Sequence, residues 1–271
     1  MPTQLRSPVE PPPVRRRDGG EIVLEGISRD YRDRRGEIVR ALAGVSLRAA
    51  AAELLAVVGP SGCGKTTLLE LICGLQQPDH GRIRCAPAAL MPQRDLLLPW
   101  LGALDNAALA LRIAGLGRDR ARRGAATLFA ELGLGGFEHA HPSELSGGMR
   151  QRVAFLRTLL SGKRVLCLDE PFGALDAITR AEMQEWLSRA LAREPRTVVL
   201  VTHDVEEAIV LADRVAVLSP RPGRVLAQLE VDLPRPRART DGELIALREQ
   251  ALAALELGSA VRVGSGWEPQ L

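Results

Sequence analysis

The chain has 271 residues, 46% of them hydrophobic and 25% charged, with a formal net charge of +3. That is an ordinary globular balance, long enough for one sizeable core or a large domain beside a small one. The small net charge gives no footing for nucleic-acid binding, no uninterrupted apolar run of about 18 residues spans a membrane, and the first 20 residues lack the apolar centre of a secretory signal.

Residues 1–20 are rich in Pro and Arg, end in Gly-Gly, and read as a disordered tail. Arg15, Arg16 and Arg17 read as a solvated charge run, with acidic lipid headgroups as the alternative partner. From Glu21 to about Leu47 apolar and polar residues alternate, the period of half-buried antiparallel strands. Tyr31, the one tyrosine, lies there just before the turn-like RDRRGE. LLAVV (54–58) has the continuous apolar character of a buried strand.

GPSGCGKT (59–66) follows that strand and fits G-x-x-x-x-G-K-[ST], with Gly59, Gly64, Lys65 and Thr66 in the required places. Leu68, Leu71 and Ile72 come next at helix spacing, closed by Gly74. A Gly-rich turn opening a helix lets backbone N–H groups converge on a phosphate chain, and the helix dipole adds partial positive charge. In that setting Lys65 reaches the outer phosphates and the Thr66 hydroxyl ligates Mg²⁺. The plainer reading is a Gly-rich turn that caps a helix.

QQPDHGRIRC (76–85) reads as a turn and a short strand, and AALM (88–91) as a second buried strand stopped by Pro92, with Gln93 following. Pro99 and Trp100 break the chain. Residues 104 to about 160 are helical by composition, with Leu104, Ala108, Leu111, Leu116, Leu128, Leu132 and Leu134 as apolar positions and Arg118 to Arg123 as an exposed basic face. Ser146 is a natural N-cap for a helix turning Val153, Leu156 and Leu160 inward. VLCL (165–168) is an apolar strand ending at Asp169 and Glu170. Thr179 with Glu182 has capping-box spacing ahead of a stripe of Met183, Trp186, Leu187, Ala190 and Leu191. TVVLVT (197–202) is another buried strand, followed by His203 and by a second capping-box pair, Asp204 and Glu207. Strands from Arg214 and Arg224 are split by SPRPG. PRPRART (234–240) reads as a linker, DGELIALREQALAALEL as a final helix and SGWEPQL as a frayed end. Cys63, Cys73, Cys85 and Cys167 form no C-x-x-C pair and read as buried or loop thiols in a reducing compartment, not a zinc site.

Strands alternating with helices argue an α/β core with a parallel sheet. The phosphate loop, the two carboxylates and His203 all fall at C-terminal strand ends, the edge where open α/β sheets bind ligands. Asp169 is placed as the Mg²⁺-associated carboxylate, Glu170 can polarise a water, and His203 can hydrogen-bond a terminal phosphate oxygen. Taken singly, a solvated strand end and a structural histidine are the plainer readings.

In this order the motifs resemble the ATP-binding cassette (ABC) ATPases over residues 21–230. GPSGCGKT is similar to Walker A, Gln93 to the Q-loop residue, LSGGM (145–149) to the signature, VLCLDEP (165–171) to Walker B, ALD (174–176) to the D-loop and His203 to the switch histidine. Tyr31 sits where the family places an aromatic that stacks on adenine. The resemblance implies a P-loop NTPase core over 21–232, with a parallel sheet, a small antiparallel β subdomain and a helical signature subdomain at about 95–160. A linker, helix and end then occupy 233–271. It also implies a head-to-tail homodimer holding two ATP. Each ATP would be cradled by Gly59, Pro60, Ser61, Gly62, Cys63, Gly64, Lys65, Thr66 and Thr67 of one copy, and by Ser146, Gly147 and Gly148 of the other. Thr66, Gln93 and Asp169 would hold Mg²⁺, with Glu170, His203 and Gln93 acting on the attacking water and γ-phosphate.

MPQRDLLLPWLGALDN (91–106) and DEPFGALDAITRAEMQEWL (169–187) resemble the ATPases of the nitrate, sulfonate and taurine importer group, which includes importers of thiamine pyrimidine precursors and riboflavin. MPQRDLLLPW leans toward the pyrimidine-precursor members. The implied setting is peripheral, at the cytoplasmic face of the cell membrane. The implied partners are integral-membrane permease subunits and, indirectly, an extracytoplasmic solute-binding protein, with no nucleic acid. Leu98, Pro99 and Trp100 lie where the family contacts the permease; packing of Trp100 under a turn is the alternative. Two features depart from the family. Met149 replaces a glutamine, which should leave the Ser146–Gly147 backbone intact. Only about a dozen residues separate Gly81 from Gln93, so the antiparallel subdomain is expected to be trimmed. Cys63 should point its backbone at phosphate, and its thiol could confer sensitivity to thiol reagents. The alternative readings are a soluble ABC ATPase acting on nucleic acid or ribosomes, and a kinase or GTPase, which would lack LSGGM.

Overall fold

The computed structural model describes residues 20–263, so the Pro/Arg tail and the frayed end fall outside the described residues, apart from Gly20. The alternating N-terminal segment forms β1 (Ile22–Arg32) and β2 (Ile38–Ala49), paired antiparallel. Next come β3 (Leu54–Val58) and α1 (Lys65–Ile72), then β4 (His80–Cys85), which pairs antiparallel with the other edge of β1. Only Ala86 and Pro87 separate β4 from β5 (Ala88–Met91), which joins a different sheet. The short interval after Gly81 therefore carries the chain straight from one sheet into the other.

Four helices follow: α2 (Ala103–Ala107), α3 (Leu109–Ile113), α4 (Arg118–Glu131) and α5 (Gly147–Leu159). The basic run opening α4 is not simply solvated. Arg118 and Arg122 both donate to the buried Asp105 carboxylate, each at 2.8 Å, and Arg118 foremost holds that carboxyl below the usual carboxylate range. Buried Asn106 accepts from Leu98 N and donates to the carbonyls of Leu98, Leu101 and Gly102, which pins the loop carrying Trp100. Trp100 stands 70% exposed, so it does not pack under that turn.

The remaining elements are β6 (Val165–Asp169), α6 (Ala177–Arg193), β7 (Thr197–Thr202), α7 (Val205–Leu211), β8 (Arg214–Leu218), β9 (Val225–Glu230) and α8 (Gly242–Val263). The second sheet runs β5-β6-β7-β3-β8-β9, parallel except for β9. Its central strands β3, β6 and β7 are buried throughout, because both faces are covered. Leu54, Ala56, Val58, Leu166, Leu168, Val198 and Leu200 face one core with the helical region and α8; Leu55, Val57, Val165, Cys167, Val199 and Val201 face another with α1 and the antiparallel sheet. Each such buried Val or Leu contributes roughly 1.5–3 kcal/mol. Three aromatics meet between α5, the turn after β6 and α6: Phe155 lies 6.2 Å from Phe172 and 5.9 Å from Trp186.

Three local expectations change. The cap of α6 is Asp176, whose carboxylate accepts from Ile178 N and Thr179 N, so the helix starts two residues before Thr179 and the Thr179–Glu182 box does not form. A carboxylate fits the first-turn donors better than a hydroxyl already inside the helix. At α7 only half the box forms: Asp204 accepts from Glu207 N, while the Glu207 carboxyl turns inward to the Gln184 amide. PRPRART is not a loose linker either. The Arg237 guanidinium donates to the carbonyls of Ile209, Val210, Ala212, Val231 and Leu233, satisfying the C-terminal end of α7.

Candidate functional site

The register of the parallel sheet sets the site. Val58 pairs with Thr202 and Asp169 with Val201, so β3, β7 and β6 end level, with β7 in the middle. The phosphate loop leaves β3, His203 leaves β7 and Glu170 leaves β6, all at one edge.

The loop is braced from outside by the turn between β8 and β9. Gly223 exchanges backbone hydrogen bonds with Ala41 and Ala43, and a Cβ on Gly223 would collide with the Cys63 carbonyl. Gly64 has φ +106°, and a Cβ there would stand 2.7 Å from Leu42 Cδ2 and 2.9 Å from the Ala41 carbonyl. Both conformation and space therefore demand glycine at the entry to α1. Lys65 is buried and donates its ammonium to the Gly59 carbonyl at 2.7 Å and the Pro60 carbonyl at 3.0 Å. Cys63 is buried beneath the loop, and burial pushes its thiol pKa up against the nearby Lys65 charge. A buried, protonated thiol is a poor target, so the structure argues against a thiol-reactive Cys63.

The Thr66 hydroxyl donates to Asp169 Oδ2 at 2.7 Å. Asp169 is 3% exposed; burial raises its pKa, the Thr66 bond opposes that, the Glu170 charge raises it further and Lys65 lowers it. A buried carboxylate beside a hydroxyl, with a second carboxylate adjacent, is a hard oxygen donor set. That chemistry fits a small divalent cation that keeps waters and substrate oxygens as its other ligands.

Glu170 has φ +47°, a left-handed conformation unusual for a residue with a side chain. Its carboxylate lies between two of the residues singled out from the sequence. Gln93 Nε2 donates to Oε2 at 3.2 Å, and His203 Nδ1 stands 3.2 Å from Oε1. Three candidates spread over 110 residues of chain thus meet at one carboxylate. A cavity of about 480 Å³ joins Tyr31, Lys65, Thr66, Gln93, Asp169 and Glu170, within the range of ligand pockets. Tyr31 is fixed in it: its hydroxyl donates to Gln76 Oε1 at 2.9 Å and lies 3.2 Å from Thr67 Oγ1, with the Arg29 guanidinium 5.1 Å from the ring centre.

Ser146, Gly147 and Gly148 do not join this cavity within one chain. Ser146 caps α5 as expected, accepting from Met149 N at 3.2 Å, while the Met149 side chain packs half-buried on the core. Ser146 and Gly147 are exposed, leaving a helix N-terminus open to solvent.

Sequence reasoning missed Arg221, and it noted Gln151 only as following the signature as in the family, without its contacts. Arg221 lines the cavity and donates to the Gly62 carbonyl at 2.9 Å; the signal was an arginine between two prolines in SPRPG, beside a strand that borders β3. Gln151 bonds the turn after Glu170, a contact across 19 residues that no local pattern announces.

Comparison with known proteins adds the following. A family model described as ABC transporter matches residues 42–173. The chain is 46% identical over 239 residues to the aliphatic sulfonates import ATP-binding protein SsuB 1 of Rhodococcus jostii, covering 86% of this chain and 92% of that one. It is 44% identical over 235 residues to the taurine import ATP-binding protein TauB of Chromobacterium violaceum, covering 80% and 90%. It is 45% identical over 194 residues to the formylaminopyrimidine import ATP-binding protein ThiZ of Halalkalibacterium halodurans, covering 70% and 78%. The dimeric structure of MJ0796, a bacterial ABC transporter cassette, superposes with a TM-score of 0.72 at 28% identity, covering 79% of this chain and all of that one. A related structure of that cassette is a post-hydrolysis state bound to ADP and Pi.

Proposed function

The chain belongs to the ABC transporter ATP-binding proteins, within the sulfonate, taurine and pyrimidine-precursor import group, and on that premise we propose that it binds and hydrolyses ATP to drive a membrane permease importing a small organic or anionic solute. The observation that carries the reading is the Glu170 carboxylate held between Gln93 and His203, beside the loop of Lys65 and Thr66.

Each residue's part follows from its place. Tyr31 offers a ring to adenine. Residues 59–67 cradle the phosphates with backbone N–H groups at the start of α1, and Lys65 moves its ammonium from loop carbonyls to the outer phosphates. Thr66 and Asp169, with Gln93 beside them, would hold Mg²⁺, which when bound would neutralise charge on the phosphate oxygens. Glu170 takes the proton from a water that Gln93 orients, and His203 donates to the γ-phosphate. A positioned base contributes about 10²–10⁴-fold, so Glu170→Gln should cut ATP hydrolysis at least about 100-fold while ATP still binds. Hydrolysis at the wild-type rate in that variant would remove Glu170 from this role.

We infer a homodimer as the working form. One chain leaves the exposed N-terminus of α5 apart from its own cavity, and the dimeric cassette relative supports a second copy supplying Ser146, Gly147 and Gly148. Loss of the γ-phosphate then removes the ligand shared by two chains, and the dimer opens. The exposed Trp100, on a loop pinned by Asn106, is the proposed contact with the permease. We infer a peripheral setting at the cytoplasmic face of the membrane; the described helices include none long and apolar enough to cross it. Solute would reach the permease from an extracytoplasmic binding protein.

A further inference from the structure

Glu170 carries the reaction on a backbone that its residue type disfavours. A side-chain-bearing residue at φ +47° costs about 1 kcal/mol or more. Such a conformation persists only where neighbours determine it. Here Glu170 N donates to the Val201 carbonyl at 2.8 Å, and its own carbonyl accepts from Gly173 N at 3.1 Å and from Gln151 Nε2 at 2.9 Å. Two of these bonds belong to the sheet and the turn. The third comes from a separate element, α5.

Gln151 is 6% exposed, and both ends of its amide are used. Nε2 holds the Glu170 carbonyl, and Oε1 accepts from Ala174 N at 2.9 Å. One side chain thus spans the turn from Glu170 to Ala174. Ala174 opens the segment whose Leu175 lies against α5 at Gly148, where a Cβ would stand 3.1 Å from Leu175 Cδ2, and whose Asp176 caps α6. Helix α5 therefore grips this turn at two levels, Gly148 and Gln151. Its N-terminus, one helical turn away, carries Ser146 and Gly147.

We propose that Gln151 is a positioning residue that couples the two ATP sites of the dimer. The N-terminus of α5 faces the ATP bound by the partner copy, while its flank holds the strained backbone that aims Glu170 at the ATP of its own copy. Seating of α5 on one nucleotide then sets the orientation of the base at the other. This inference rests on the reading of Glu170 as the base and of the ATP site as shared.

The test uses the purified full chain with Gln151→Leu, and Glu170→Gln as the control for the site. ATP affinity, kcat and the Hill coefficient of hydrolysis are measured, with ATP-driven dimerisation read in the Glu170→Gln background. Gln151→Leu is expected to bind ATP within about twofold of wild type and to dimerise normally. Its kcat should fall at least tenfold, and its Hill coefficient should drop toward one. Gln151→Glu, which keeps the size and the acceptor for Ala174 N but loses the donor to Glu170, should show the same split if the leucine variant does not fold. A kcat within twofold of wild type, an unchanged Hill coefficient, or a kcat loss matched by lost ATP affinity overturns the coupling alone, provided Glu170→Gln is inactive. If Glu170→Gln hydrolyses ATP at the wild-type rate, the reading of the site fails and the coupling falls with it.

Discussion

Glu207 offers a quantitative check on how the site is built, and the perturbation is Glu207→Gln. The residue lies on α7, one turn past His203, 5% exposed. Burial foremost pushes its carboxyl up to about 7, against smaller lowering effects from the Thr202 hydroxyl and the Gln184 amide. The unfolded chain, with a carboxyl near the ordinary 4.5, releases this proton first. The stability tied to the protonated form is therefore complete below about pH 4.5 and is lost as pH rises through about 7. A difference of about 2.5 units at 1.36 kcal/mol each gives a total of about 3 kcal/mol as an upper bound. Glutamine carries no proton to lose and can still bond Gln184 and Thr202. Its advantage over wild type should therefore grow by about 1–2 kcal/mol between pH 5.5 and pH 8. Urea unfolding at both pH values measures this directly. A wild-type-to-variant difference that stays constant within about 0.5 kcal/mol would refute the reasoning, because it would mean that Glu207 is ionised in the native state at little cost.

Other predictions follow from the same contacts. Arg237→Met keeps the apolar stem but leaves the carbonyls at the end of α7 without their donor. At roughly 1.5–3 kcal/mol for bonds to a charged group, the thermal midpoint should fall by about 5–10 °C; a midpoint within about 1 °C of wild type would make the Arg237 contacts inconsequential. Trp100→Asp should leave ATP hydrolysis by the isolated subunit within about twofold, since Trp100 is exposed and does not line the ATP cavity, yet should remove stimulation by the reconstituted permease. Full stimulation of that variant would move the docking surface elsewhere.

Much of this architecture was legible in the sequence because its signals are local. Period-2 alternation announced β1 and β2, continuous apolar runs announced β3, β6 and β7, and the phosphate loop is one contiguous motif whose mechanics require a strand before it and a helix after it. The meeting of Gln93, Glu170 and His203 was legible in outline, since each follows a strand of the same sheet. What stayed hidden acts through space. Nothing near Arg237 states that five carbonyls of two segments converge on it, and Asp105 gives no local hint of Arg118 and Arg122. The Thr179–Glu182 spacing misled because Asp176, a better cap three residues earlier, had been assigned to another motif. Gln151 was legible as part of the signature segment, but its two partners, 19 and 23 residues away, were not.

The central claim is that each ATP site is shared between two copies, with the loop of one facing the helix N-terminus of the other. Light scattering on the purified Glu170→Gln chain, with and without ATP and Mg²⁺, tests it most directly when paired with the double variant Glu170→Gln, Ser146→Arg. The single variant should be monomeric without nucleotide and dimeric with ATP. The double variant, in which a bulky cation occupies the N-cap of α5, should still bind ATP yet remain monomeric. A Glu170→Gln chain that stays monomeric with ATP, or a double variant that dimerises as readily as the single one, would contradict the shared site.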